Sequence, residues 1–331
     1  MKINRKKHFH NKKCVLIRKK KIFAYVTNFG DDTVSMIDTK NDKVTGTIPV
    51  GDQPDGITIS PLVKHAYVSN TNNNSVSVID LSSNKVVNEI PVGEGPVGIA
   101  ATPNGRKVYV ANFGGTTVSI IDVCKQTVKN IEVGNNPFEV AFSPDGRKAY
   151  VAVTVSNYVA VIDTKKESVI DRIPITDGEF PRDLAVTPNG KKLYVANRGR
   201  GEPSTVSVID LKENLVTNTI NVGIRPNGVA VTPDGKKVYI TNISSDNVTV
   251  VNAFDDSIIA TIDVGDGPTD VCITPNGKKA YITNFNAGTV SVICIRTDMV
   301  ITTITTGKQT SDCAITHSCF PSLRIDNSKT D

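Results

Sequence analysis

Histidine is scarce in this chain, with only four among 331 residues. His8 and His10 lie near the start, and only His65 and His317 fall near the repeating body described below. Zinc, copper and haem sites draw on convergent His, Cys or Met, so the pattern disfavours those cofactors. No Ser–His–Asp spacing stands out, and no glycine-rich phosphate loop is present. No apolar stretch approaches the roughly 18 residues of a membrane-spanning helix, and no segment carries the 3.6-residue period of a long helix. The cysteines Cys14, Cys124, Cys272, Cys294, Cys313 and Cys319 form no CxxC pair. They read as scattered buried or idle thiols, which favours a reducing, cytoplasmic compartment.

Acidic residues are missing from residues 1–21, which hold ten Lys or Arg. The remainder carries 28 bases against 33 acids, so the formal net charge of +5 belongs to the basic tail. Such an arm either stays solvated or holds nucleic acid. The net-negative body and its few aromatics argue against base stacking. A secretory leader needs an apolar core of about 7–15 residues. Cys14-Val15-Leu16-Ile17 is shorter and runs into four more bases, so export has no support here.

What is abundant is repetition. Tyr25, Tyr67, Tyr109, Tyr150, Tyr194, Tyr239 and Tyr281 recur at spacings of 42, 42, 41, 44, 45 and 42, and they account for all but one of the eight tyrosines. Each unit reads as four short strands. One unit runs through "GEGPVGIAATPNG" (93–105), "KVYVAN" (107–112), "TVSIID" (117–122) and "TVKNIEVG" (127–134). The Pro-Asn-Gly and Pro-Asp-Gly turns supply the positive φ of tight hairpins. Four strands in about 42 residues is the size of a propeller blade. The chain opens on strands two to four of a unit and closes on a lone first strand, "GKQTSDCAIT" (307–316). Seven blades therefore close as a ring, the last one shared by both ends of the chain. Residues 1–21 form a basic tail, 22–317 the propeller and 318–331 a polar tail. A monomer is expected.

These motifs resemble the YVTN-repeat β-propeller family of surface-layer-type and bacterial propeller proteins, over about 290 of the 331 residues. The resemblance implies an all-β, seven-bladed propeller with four antiparallel strands per blade. It also implies an exported or cell-surface setting. Related seven-bladed rings include lactonases and metal- or cofactor-bearing enzymes.

Within the repeat, the tyrosine is expected to pack between blades with its hydroxyl satisfied at the rim. The Asn ending the same strand is expected to bond backbone in the following loop. The Asp closing the third strand fits an Asx-turn. Function is sought where repeats disagree. From the end of the fourth strand to the Pro position the separation is four at Val92 to Pro96 but six at Ile175 to Pro181. From the Asn to the next Val it is six at Asn112 to Val118 but nine at Asn197 to Val206, where "RGRGEPS" (198–204) brings Arg198, Arg200 and Glu202. Both insertions belong to the fourth blade and open on one face. In the third blade Val153 replaces the Asn and "TVSNY" (154–158) fills the loop.

Two residues after the Pro position the repeats read Gly56, Gly98, Glu139, Asp183, Gly228, Asp270 and Asp312. The preceding residues are Asp55, Val97, Phe138, Arg182, Asn227, Thr269 and Ser311. The first strand lines the central channel, so the acids ring its mouth, where they either cap backbone N–H groups or shift one another's pKa.

The leading expectation is a non-catalytic scaffold presenting Phe138, Glu139, Arg182, Asp183, Arg198, Arg200, Glu202, Asp270 and Asp312 to a protein, glycan or small ligand. The alternative is a lactonase-like or lyase-like enzyme. A pair such as Glu139/Asp183 or Asp270/Asp312 would then be its acid and base, with Arg182 stabilising an oxyanion. No cofactor is expected. Calcium or magnesium is the alternative, with Asp270 and Asp312 as candidate ligands.

Overall fold

A computed structural model describes residues 21–200 and 204–316. It contains 28 strands, and none of the described residues is helical. They form seven antiparallel sheets of four strands. We number the blades from the first continuous one: blade 1 is 54–91, blade 2 is 96–132, blade 3 is 137–174, blade 4 is 181–221, blade 5 is 226–263 and blade 6 is 268–305. Blade 7 joins Phe23–Asn28, Thr33–Asp38 and Lys43–Pro49 to the closing strand Thr310–Ile315. Each innermost strand touches the innermost strand of the next blade, all the way round. The chain is a seven-bladed β-propeller. Residues 1–20 and 317–331, which hold nearly all of the two expected tails, lie outside the described residues, as do Cys14 and Cys319.

At the seam, Tyr25 pairs with Ala314 and Val26 with Cys313. The Phe23 N–H also donates to Thr316 Oγ1 at 2.9 Å. The hydrophobic core consists of seven clusters, one per interblade interface. A four-stranded sheet has two apolar faces and buries neither alone, so each blade depends on both neighbours.

The repeated tyrosine is an interblade fastener. Its ring is buried, and at several interfaces its hydroxyl donates to the turn between the third and fourth strands of the next blade. Tyr25 reaches Asn84 (3.1 Å), Tyr194 reaches Asp256 (2.6 Å) and Tyr281 reaches Asp42 (2.6 Å). A lysine two residues earlier binds the same carboxylate, Lys192 to Asp256 at 2.9 Å and Lys279 to Asp42 at 2.6 Å. The third-strand aspartates cap the Asx-turns expected of them. Asp210, for instance, accepts from the N–H groups of Lys212 and Glu213.

The repeated Asn behaves differently from expectation. Its amide donates to two side-chain oxygens on the third strand, hydroxyls in every case but Asn247 Oδ1 opposite Asn242, and not to loop backbone. Asn28 donates to Thr33 and Ser35, Asn70 to Ser75 and Ser77, and Asn284 to Thr289 and Ser291. Backbone within the strands is committed to pairing, and the buried amide is satisfied by the side-chain oxygens beside it. In blade 3, Val153 replaces the Asn, and Tyr158 donates instead to the Val133 carbonyl at 2.7 Å.

The thiol expectation is also corrected. Cys272 in blade 6 and Cys313 in the closing strand form a disulfide with Cα atoms 5.9 Å apart, leaving Cys124 and Cys294 free among the described residues. The two cysteines sit at different offsets within their strands, so the repeat register hides their adjacency. The bond spans a sequence separation of 41, which corresponds to about 4 kcal/mol of loop-closure entropy removed from the unfolded chain.

The tyrosine network yields a paired test. Tyr281→Phe removes a hydroxyl that bonds Asp42 across the blade 6/blade 7 interface and should cost about 1–2 kcal/mol. The Tyr109 hydroxyl has no partner, so Tyr109→Phe should be close to neutral. Urea denaturation of the two variants checks the difference, and equal losses would remove the fastener from this account.

Candidate functional site

Each innermost strand begins with a register shift directly after the Pro position, as between Pro137 and Val140 and between Pro181 and Leu184, with Thr310 in place of Pro in the closing strand. A bulge turns its residues out of the ladder. The two residues after the Pro therefore face the channel and form two stacked rings. In four blades the bulged N–H finds a hydroxyl on the second strand: Gly56 donates to Ser69, Gly228 to Thr241, Asp270 to Thr283 and Asp312 to Thr27. The same hydroxyl donates to the next blade's carbonyl, as from Thr27 to Asp55 and from Thr283 to Ser311. This is the task of Thr in the repeated motif. Blades 2 to 4 carry Ala111, Ala152 and Ala196 there instead.

The rings surround a cavity of about 460 Å³ lined by Asp55, Phe138, Glu139, Arg182, Asp183, Arg198, Arg225, Asp270 and Asp312, among others. Its size suits a small organic ligand. The lower ring holds two acid pairs from adjacent blades, Glu139/Asp183 and Asp270/Asp312, separated by glycines. Gly98 is required beside Glu139, because a Cβ at that position would meet the Glu139 carboxylate and the Phe138 carbonyl.

Backbone N–H groups pin the acids from blade to blade. Asp183 accepts from Leu184 (2.6 Å) and Val229 (2.5 Å). Asp312 accepts from Ile57 (2.7 Å) and Cys313 (2.5 Å). The Cys313 N–H also reaches Asp270 at 3.2 Å, so one donor ties two carboxyls together. Among the described residues Glu139 accepts only from the N–H of Val140, at 2.9 Å. Both expected roles of the acids, capping and mutual perturbation, are thus present.

The acids are half-buried at the cavity wall and recessed from bulk water. Desolvation first, then neighbouring charge, raises Glu139 (from Asp183) and Asp312 (from Asp270) well above the usual carboxylate range. Asp183 is likewise raised, by desolvation and then by Asp270. Desolvation raises Asp270 and Asp55, the latter partly offset by a hydrogen bond from Ser311 and by Arg182.

One wall is cationic and aromatic. The Arg182 guanidinium lies 4.2 Å from the centroid of Phe138 and 5.2 Å from that of Phe113, and the two rings meet edge to face at 5.6 Å. Desolvation and the nearby Arg198 lower Arg182 to about 10. Opposite, Phe29 and Phe285 pack at 5.9 Å. The two blade 4 insertions hold each other: the N–H of Arg198 donates to Phe180 and that of Gly199 to Glu179.

Of the residues singled out from sequence, Phe138, Glu139, Arg182, Asp183, Arg198, Asp270 and Asp312 all line the cavity. Arg200 does not. It stacks on Phe180, 4.8 Å from the ring centroid, at the exposed rim. Glu202 lies outside the described residues. Arg225, Asn227, Phe29 and Phe285 were not anticipated as site residues. Phe29, Phe113 and Phe285 share one repeat position, directly after the Asn, and that column was the available signal. Among the described residues no group of three or more His, Cys, Asp or Glu is arranged to hold a metal ion. No helix is long and apolar enough to cross a membrane.

A family model described as a seven-bladed β-propeller lactonase matches residues 125–257, and one described as a YNCE-like β-propeller matches residues 20–143. Both support a seven-bladed propeller family. The structure described as hydrazine synthase of Kuenenia stuttgartiensis is 26% identical with a TM-score of 0.76, over 82% of this chain and 91% of that one. A Desulfotomaculum acetoxidans protein of unknown function and a Bacteroides uniformis protein provisionally described as a 6-phosphogluconolactonase each reach a TM-score of 0.76 at 16% identity, over 89% of this chain and 99% of theirs. At that identity they show the fold alone. No curated protein matches the chain in sequence.

The raised acids have a consequence for stability. Each binds its proton more tightly in the folded state, so its contribution is fully present below the unfolded carboxylate pKa and is lost as pH rises through the higher folded value. Melting temperature should therefore fall as pH rises above about 4. Glu139→Gln, which cannot ionise, should be stabilised relative to the parent at pH 8 and little changed at pH 4. A scan of melting temperature against pH on both proteins decides it, and a flat difference would contradict the buried-acid account.

Proposed function

We propose that the cavity is an active site and that the chain is a lactonase-type hydrolase, opening a cyclic ester bound at the channel mouth. The observation that carries it is the convergence of Glu139, Asp183 and Arg182 on one recessed cavity. The lactonase family-model match, residues 125–257, spans all three. A non-catalytic scaffold would call for a shallow face and ordinary carboxylates. Recessed acids held above their usual range favour the enzyme.

The two acids have different surroundings. Asp183 accepts two backbone N–H bonds, which favour its charged form, whereas Glu139 accepts one and feels the charge of Asp183. Asp183 is then the base and Glu139 the proton donor. Asp183 takes a proton from water as the water oxygen bonds to the ester carbonyl carbon. The Arg182 guanidinium, held against Phe138, faces the oxyanion. The ring C–O bond breaks, Glu139 gives its proton to the departing oxygen, and a hydroxy acid leaves. Proton return from Asp183 to Glu139 resets the pair.

A panel of γ- and δ-lactones, followed by proton release with a pH indicator, tests this. At least one should be turned over, and Glu139→Gln should lower kcat roughly 10²–10⁴-fold with little change in KM. A silent panel, or a Glu139→Gln protein as active as the parent, would sink the hydrolase reading.

A further inference from the structure

Three arginines line one side of the cavity without an ion-paired acid among the described residues. Arg182 stands on the innermost strand of blade 4, Arg198 directly follows the second strand of that blade, and Arg225 lies in the loop entering blade 5. None of them joins an ion pair of the described residues. The Nε atoms of Arg182 and Arg198 are buried and have no hydrogen-bond partner among the described residues. Native proteins seldom leave buried donors unpaired, and each exception calls for an explanation. The three cations also repel one another: Arg198 and Arg225 lower Arg182, and Arg225 lowers Arg198, in each case after the larger effect of burial.

The nearby acids do not resolve this. Asp55 attracts Arg182 only in part, and its own oxygen is held by Ser311 Oγ at 2.5 Å. Asp183 and Asp312 are turned onto backbone N–H groups. What would satisfy the orphan donors and relieve the repulsion is a ligand oxyanion, for which planar guanidinium groups have matching donors.

We propose that Arg182, Arg198 and Arg225 form a subsite for an oxyanion, so that the ligand of this cavity carries a carboxylate or phosphate group placed against blades 4 and 5. The substrate class this names, an anionic cyclic ester, rests on the hydrolase reading, whereas the subsite itself does not. Arg182 then has two neighbours to serve, the anchored anion and the reacting carbonyl. Arg198 and Arg225 hold the anion alone.

Isothermal titration calorimetry on the full chain at low ionic strength tests it, with inorganic phosphate in one arm and propionate in the other. Saturable binding is expected in at least one arm, and the responding arm names the group. Arg198→Met and Arg225→Met should each weaken that binding at least about tenfold, or about 1.4 kcal/mol. Arg200→Met, outside the cavity, should bind like the parent. Arg225 is exposed, so its variant keeps the test open if Arg198→Met fails to fold. No binding in either arm, or unchanged binding in Arg225→Met, overturns the subsite. Anion binding alongside a silent lactone panel would keep the subsite and remove the hydrolase. Turnover of a neutral lactone without anion binding would do the reverse.

Discussion

Each blade of this molecule has two apolar faces and no means of covering either by itself. The seven core clusters all lie between blades and none within one, so an open arc would leave two faces and two sheet edges in water. Closure is therefore the condition on which the rest depends. It is met by the shared seventh blade, where Tyr25 lies opposite Ala314. Two further ties act at this junction: the Tyr281–Asp42–Lys279 cluster at the rim and the Cys272–Cys313 bond near the channel. The place where the chain ends meet is thus fastened at both its outer and its inner radius.

The same closure explains how a site full of like charges persists. Five carboxyls face one cavity, and burial makes each harder to ionise. In a pliable loop they would swing apart into water. Here each is fixed by a bulged strand whose neighbours are locked into the ring, and several are held by N–H groups of the next blade. The acids thereby act as interblade links as well as candidate reagents. That double role explains why capping and pKa perturbation, which looked like competing readings, occur on the same residues.

Much of this could be read from the residues in order. A seven-unit register aligns every repeat position, so the tyrosine column, the Asx-turn aspartates and the ring of Glu139, Asp183, Asp270 and Asp312 all follow from counting. What could not be counted was lateral. The Asn amide turned to Thr33 and Ser35 because strand pairing had used the backbone, a competition visible only once partners are placed. Cys272 and Cys313 meet at different strand offsets, which a register shared by all blades conceals. Arg225 comes from a loop whose reach depends on ring curvature. The aromatic column of Phe29, Phe113 and Phe285 was available in the repeats, and so was the loss of the Thr hydroxyl at Ala111, Ala152 and Ala196.

That last column bears on where function sits. A hydroxyl at this position joins the bulged N–H of one blade to a carbonyl of the next, as Thr27 and Thr283 do. Blades 2 to 4 lack it, and two of them, blades 3 and 4, supply Phe138, Glu139, Arg182 and Asp183. The lower ring is also uneven, with glycines setting two acid pairs apart, and the Gly98 contact shows why. A side chain there would collide with the Glu139 carboxylate, so neighbouring positions cannot all be filled. Sevenfold repetition builds the frame, but a cavity made of seven equal sectors would have neither the space nor the charge difference that chemistry needs. Sectors that drop the shared fastener, and others that place a glycine in the ring, create both.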